Sequence, residues 1–224
     1  MARPWRTLET EETEDGLLEL RQRGDDDFLI MLGGRVLMNS RQNRSEIAVA
    51  EIPCQALAGH PAPFVLIGGL GMGCTLRAAL DALPSTAHVV VSELNPVVER
   101  WCRGPLAKVS SDALADPRVR VEIGDVAQLI EAHGRNGAPR FDAIVLDLYE
   151  GPHAKTDAAR DPLYGSRALE RTRKALHPGG WLSVWSEGAD AGFAKRLVKA
   201  GFETQSARPG KGGLRHAVYV ARRR

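Results

Sequence analysis

The stretch Phe64–Gly73 reads FVLIGGLGMG, and its reading decides the fold. Four apolar residues, Phe64, Val65, Leu66 and Ile67, run straight into Gly68, Gly69, Gly71 and Gly73. A helical pattern follows from Thr75 through Leu83. A short apolar run closed by glycines has the signature of a strand buried in a parallel sheet, followed by a tight turn and a helix. Glycine carries no Cβ, so the backbone of such a turn can approach a ligand closely. The helix start adds unpaired N–H groups and the positive end of the peptide dipole. The turn therefore suits a nucleoside or an anion. The competing reading is an ordinary strand-to-helix turn whose glycines serve packing.

Working outward, strand and helix patterns alternate down the chain. His88–Ser92, Val119–Ile123, Phe141–Asp147 and Trp181–Ser186 read as strands. Pro96–Arg103, Val126–His133, Pro162–Leu176 and Ala191–Ala200 read as helices. Phe202–Ala207 and Ala217–Ala221 read as two last strands joined by the Gly-rich turn Pro209–Gly213, and so must be antiparallel. With Phe64–Ile67 this makes an α/β fold with a doubly wound, seven-stranded, mainly parallel sheet. Upstream, Gly33-Gly34 marks a hairpin between Phe28–Leu32 and Val36–Met38. Three regions are expected: a polar, frayed N-terminus over 1–15, a small β-sheet over 16–59, and a nucleoside-binding domain over 60–224. Pro53 argues against a long unbroken helix in the segment after Ser45.

The composition excludes several function classes. Lys plus Arg is 30 and Asp plus Glu is 28, a net charge of +2 that argues for neither nucleic acid nor a membrane surface. No apolar run approaches the length of a membrane span. Cys54, Cys74 and Cys102 fit no metal or redox spacing, and a reducing cytoplasmic setting is the simple expectation. The six histidines are scattered, and no metal is expected.

Ligands of doubly wound sheets bind outside the carboxyl ends of the strands, and three acids fall there. Glu93, followed by Leu94, ends the second core strand and can accept both hydroxyls of a ribose. Asp125, between Gly124 and Val126, follows the third and can accept from an exocyclic amine. Asp147 ends the fourth, ahead of Tyr149 and Glu150. Each acid alone can instead cap the next helix. A dinucleotide fingerprint fails, because its third glycine would fall on Cys74. The residues expected to hold a nucleoside are Gly68, Gly69, Leu70, Gly71, Met72, Gly73, Glu93, Leu94, Gly124, Asp125, Val126 and Asp147.

From about Leu32 to the C-terminus the chain resembles the spermidine synthase (polyamine aminopropyltransferase) family, a branch of the Rossmann-like class I S-adenosylmethionine methyltransferase fold. The resemblance implies that Gly69, Gly71 and Gly73 cradle the nucleoside. It also implies that Glu93 holds the ribose, Asp125 the adenine, and that Asp147 deprotonates an acceptor amine. Pro152, Leu163-Tyr164 and the turn from Leu176 to Gly180 also fit. The chain departs from the family where that family carries an Asp before its last glycines, because Met72 stands there. Leu37 stands near a family Gln. The family's Asp-Glu pair with a following Tyr and His becomes Ser45-Glu46, Val49 and Ala50, with Glu51 matching. Of the strand-four acid pair, the second survives as Glu150.

These departures lead to an expected transferase using S-adenosylmethionine or a related sulfonium nucleoside, with methyl transfer to an unidentified small-molecule acceptor favoured. Aminopropyl transfer from decarboxylated S-adenosylmethionine is the alternative, and a non-catalytic nucleoside-binding or dimerisation protein is another. Asp147 is the expected base, Glu150 and Tyr149 position an acceptor (possibly an amine), and Glu150–Gly165 is either a lid or a plain loop. A homodimer paired through the N-terminal sheet is expected.

Overall fold

A computed structural model describes residues 3–153, 159–207 and 216–224 of the chain. At the N-terminus, β1 (Arg6–Thr13), β2 (Gly16–Arg23), β3 (Asp27–Leu32) and β4 (Arg35–Asn39) form an antiparallel sheet in that order. The Gly33-Gly34 hairpin stands where the sequence places it, with both glycines at positive φ.

The expectation of a frayed 1–15 is corrected. Residues Arg6–Thr13 pair with β2 from Arg6 opposite Gln22 to Thr13 opposite Gly16. Their side chains are mostly polar and lie along a largely exposed strand, so no alternating apolar pattern announces them. Beyond the backbone ladder, two acids, Glu9 and Glu11, tie the strand to the rest of the fold through Arg100. Glu9 accepts the indole N–H of Trp101 at 2.8 Å and pairs with Arg100. Trp101 itself is fully buried.

Within 16–59, the segment after the small sheet is helical. Helix α1 (Arg44–Gln55) runs through Pro53. Pro53 lies in the last turn, so the missing N–H removes one hydrogen bond just before the helix ends, and the helix tolerates it. Val49, Ala50, Pro53 and Cys54 are buried along one face. That face packs on the larger sheet and its first helix, so α1 stands with the core rather than with the small sheet.

The larger sheet is built from β5 (Phe64–Gly68), β6 (His88–Glu93), β7 (Val119–Ile123), β8 (Phe141–Leu146), β9 (Leu176–Ser186), β10 (Phe202–Ala207) and β11 (Ala217–Arg223). Its order is β10-β11-β9-β8-β5-β6-β7, and β11 alone runs against its neighbours. The expected doubly wound, seven-stranded, mainly parallel sheet is therefore present, with its last hairpin antiparallel. The Gly-rich turn joining that hairpin lies outside the described residues. β9 begins earlier than expected: a register shift between Phe141 and Ala143 absorbs His177–Gly180, which read as a plain turn.

Strand side chains alternate between two cores. On one face Val65, Ile67, Val89, Val91, Ala143 and Val145 meet α1, α2 (Cys74–Ala82) and α3 (Pro96–Arg103). On the other, Leu66, Ile144, Leu146 and Val184 meet α4 (Val126–His133), α5 (Ser166–Ala175) and α6 (Ala191–Lys199). The chain leaves β5 first towards β6 and β7, then crosses back to β8 on the other side. The strand order thus reverses beside β5, which is where ligands of such sheets bind.

Replacing Glu9 by Ala leaves the buried Trp101 N–H without its acceptor. We expect a loss of about 1–3 kcal/mol in chemical denaturation. We also expect faster amide exchange confined to the outer two strands of the small sheet. Unchanged exchange there would show that Glu9 does not hold that sheet down.

Candidate active site

The glycine turn and the end of β8 meet at the switch point. The Asp147 N–H donates to Gly68 O at 2.9 Å, and a Cβ on Gly69 (φ 90°) would collide with the Asp147 carbonyl. Gly68 has no room either, because Leu146 and Val126 would lie 2.9 Å from a Cβ. Gly71 (φ 52°) is covered by the Met38 thioether of β4, and Gly73 (φ 78°) faces Ser110 in a short 3-10 turn, Ala107–Ser110. Each of these glycines is required by a close approach, a left-handed backbone, or both. Gly124 (φ 154°) faces open space beyond β7.

Glu93 is buried, and its carboxylate is engaged by the turn itself. Oε2 accepts the Leu70 N–H and Oε1 the Asn95 N–H, each at 2.9 Å. Burial pushes its carboxyl above the usual range, while backbone N–H groups of Asn95, Leu70, Leu94 and Gly71 oppose that shift. Glu93 thus clamps the glycine turn to the start of α3. Asp125 caps α4 by accepting the Ala127 N–H at 2.8 Å, and its side chain is otherwise exposed.

Two large apolar side chains stand in solvent beside these acids: Leu94, which the sequence singles out, and Ile123 at the end of β7, which it does not. Nothing in the sequence marks it, because an Ile closing a strand reads as core. Leu70, Met72 and Val126, by contrast, are buried, Met72 completely. Their side chains build the floor under the turn, and only their backbone can face a ligand.

On the other side of the turn, Asp147 faces the first turns of α1 and α2. Thr75 and Glu46 are both buried there. The Thr75 hydroxyl forms a short hydrogen bond to Asp147 Oδ2 and lies 3.2 Å from the Glu46 carbonyl. Burial pushes the Asp147 carboxyl up to about 7; the Thr75 hydroxyl works against this, and the nearby Glu46 charge adds to it. Thr75, with one proton, can give it to Glu46 O while accepting from a protonated Asp147. Asp147 is thus a carboxyl poised to exchange a proton near neutral pH, as a general base requires.

Tyr149 and Glu150 do not join this cluster. Both are exposed; the Arg35 guanidinium stacks 5.1 Å over the Tyr149 ring and pairs with Glu187 at 2.6 Å. Glu150 lies 3.4 Å from His153 Nε2. Residues 154–158, within the segment expected as a lid or a loop, lie outside the described residues. Cys74 is a buried thiol accepting from the Asn43 amide, and burial raises it, which fits a packing residue rather than a nucleophile. Trp185 is buried. Sequence reasoning missed His216, whose Nδ1 lies 2.8 Å from Ser45 Oγ. Nothing in its neighbourhood in the sequence flags it.

A seven-stranded sheet of this order, with a glycine turn at the switch point and acids at the ends of β6 and β8, has the architecture of the class I methyltransferase-like fold. The comparisons narrow this. The chain is 30% identical over 170 residues to a polyamine aminopropyltransferase of Mycobacterium tuberculosis, covering 73% of this chain and 29% of that protein. It is 35% identical over 128 residues to the polyamine aminopropyltransferase of Nitrosomonas europaea, covering 56% and 35%. The matches thus span about a third of the length of these relatives. A crystal structure of spermidine synthase from Thermotoga maritima superposes with a TM-score of 0.75 at 20% identity, over 97% of this chain and 72% of that one. A spermidine synthase in complex with the transition-state analogue AdoDATO gives 0.72 at 20% identity, again over 97% and 72%. No family model matches the chain. The chain is spermidine synthase-like in sequence and in fold, as its motifs imply.

The Asp147 titration has a consequence for stability. Its carboxyl rises from the ordinary 3.8 to about 7 on folding, so between those values the native state holds a proton that the unfolded state has lost. Stability therefore falls as pH rises through that window. The neutral variant Asp147→Asn escapes this fall. We expect its stability relative to the parent, from urea denaturation, to increase between pH 4 and pH 8. A difference independent of pH would contradict the assigned shift.

Proposed function

We propose that the chain transfers an aminopropyl group from decarboxylated S-adenosylmethionine to a small amine. The observation that carries this reading is Asp147: an acid at the switch point, against the glycine turn, with its carboxyl pushed up to about 7. The acceptor amine gives a proton to Asp147. Its freed lone pair forms the N–C bond at the carbon attached to the sulfonium sulfur. The C–S bond breaks, and its electron pair stays on sulfur as the neutral thioether of 5′-methylthioadenosine. Since a sulfonium needs no acid to leave, the protein supplies alignment, desolvation and the base.

Methyl transfer, favoured from the sequence, loses its support. That preference rested on Met72 and on the lost amine ligands, and the Met72 side chain is sealed in the core and cannot meet the reacting end of a cosubstrate. The relatives named above are aminopropyltransferases, which favours the alternative. In this reading the nucleoside lies across the glycine turn. Its ribose sits on Glu93, its base lies between Leu94 and Ile123 near Asp125, and its sulfonium faces Asp147.

A cytoplasmic setting and a homodimer complete the proposal. All three thiols are free and buried. The outer edges of β1 and β4 have no strand partner among the described residues. Among the described residues no helix is long and apolar enough to cross a membrane.

The test is product formation. With decarboxylated S-adenosylmethionine and a panel of amines, release of 5′-methylthioadenosine should be measurable. Asp147→Asn should lower kcat by roughly 10²–10⁴ while leaving nucleoside affinity nearly intact. Turnover that survives in Asp147→Asn would remove Asp147 from the mechanism.

A further inference from the structure

The two carboxylate oxygens of Asp147 stand in different surroundings. Oδ2 is held, because the Thr75 hydroxyl forms a short hydrogen bond to it. Oδ1 has no hydrogen-bond partner among the described residues and is not sealed from solvent. Asp147 as a whole is half-buried. One oxygen is thus fixed and the other is open.

Thr75 owes its place to the glycine turn. It is the second residue of α2, which starts directly after Gly73 (φ 78°). Only 1% of it is exposed, so bulk water does not compete for its hydroxyl. A threonine within a helix ordinarily returns its hydroxyl to a carbonyl of the same helix. The Thr75 hydroxyl instead leaves α2 and lies between two other elements: Asp147 Oδ2 after β8, and the Glu46 carbonyl of α1 at 3.2 Å. Both are acceptors, and a hydroxyl has a single proton. An ionised carboxylate is the stronger acceptor, so with Asp147 ionised the proton goes to Oδ2.

The titratable groups around Asp147 are Glu46 on α1, Cys74 on α2 and Tyr164 just ahead of α5. Burial raises the Cys74 thiol and the Tyr164 phenol, so both stay neutral where Asp147 titrates. No cation offsets the burial of Asp147 among the described residues. The Thr75 hydroxyl is the described group that favours its ionised form.

We propose that Thr75 is the positioning residue of the base: by holding Oδ2 it presents Oδ1 to the acceptor amine and favours the carboxylate that can take the proton. This inference rests on the transferase reading above. The proton passes from the acceptor nitrogen to Oδ1, and the N–H electron pair stays on nitrogen for the attack. Oδ2 keeps its bond from Thr75 throughout.

The test has two readouts on the full chain. One is the titration of the Asp147 carboxyl carbon by NMR, its resonance identified by its loss in Asp147→Asn. The other is the pH profile of kcat/KM with decarboxylated S-adenosylmethionine and the amine that turns over. Thr75→Val keeps the shape and removes the hydroxyl. Both midpoints should rise by about one to two pH units, because a hydrogen bond to a charged group is lost. Near neutral pH kcat/KM should fall about tenfold and recover as pH rises, since it is the ionised fraction that changes. Affinity for 5′-methylthioadenosine should be nearly unchanged. Thr75→Ser returns a hydroxyl to the same Cβ and should restore both midpoints. Thr75→Ala should shift them as valine does, and decides the matter if the valine variant does not fold. A Thr75 that merely packs would lower activity at every pH and move neither midpoint, which overturns the proposal. A serine variant that behaves like valine also overturns it. If no amine supports turnover in the parent, the transferase reading falls and the role of Thr75 falls with it. If the parent turns over and the midpoints stay put, only this inference is lost.

Discussion

The carbonyl of Asp147 lies where a side chain on Gly69 would have to be. That one contact fixes the rest of the site. It brings the turn after β5 against the end of β8, and it is possible only because the strand order reverses between them. The same approach places the Asp147 carboxyl at the mouth of the glycine turn instead of out along a loop. A turn with any other residue at Gly69 would have to rise off β8, and the acid and the turn would separate.

Around that contact the protein treats two desolvated carboxyls, the buried Glu93 and the part-buried Asp147, in opposite ways. Glu93 receives N–H groups from the turn and from the start of α3, which favour its ionised form and offset much of the cost of burial. It acts as a clamp on the turn. Asp147 has a single hydroxyl partner and a negative neighbour, so burial prevails and its proton stays until near neutral pH. In the proposed reading one environment makes a binding group and the other makes a base. Neither difference lies in the residue type; both follow from how many N–H groups the local backbone can aim at the carboxylate.

The sheet and its nucleoside side were legible in the sequence because they are local. Phe64–Gly73 carries its strand, turn and helix start in ten consecutive letters, and Glu93, Asp125 and Asp147 each sit one step beyond an apolar run. Ile123 escaped notice because an Ile that ends a strand looks like core until its exposure is seen. β1 and α1 were misread for physical reasons. β1 is held by its ladder and a Glu9–Trp101 bond spanning 92 residues, and α1 tolerates a proline in its last turn. The Ser45–His216 contact was invisible for a similar reason: the two residues are 171 apart, and only the antiparallel return of β11 brings them together. Met72 erred the other way. Its position in the motif pointed to the cosubstrate, but its side chain turns inward.

The central claim is that this turn, clamped by Glu93 and facing Asp147, holds a sulfonium nucleoside whose chain ends in an amine without a carboxylate. The most direct measurement is competitive calorimetry of the purified protein with decarboxylated S-adenosylmethionine and S-adenosylmethionine, repeated on Glu93→Ala. The account predicts tighter binding of the decarboxylated form and a marked loss of affinity for both in the variant. Preference for S-adenosylmethionine would contradict the aminopropyl assignment. Equal affinity in parent and variant would contradict the site itself.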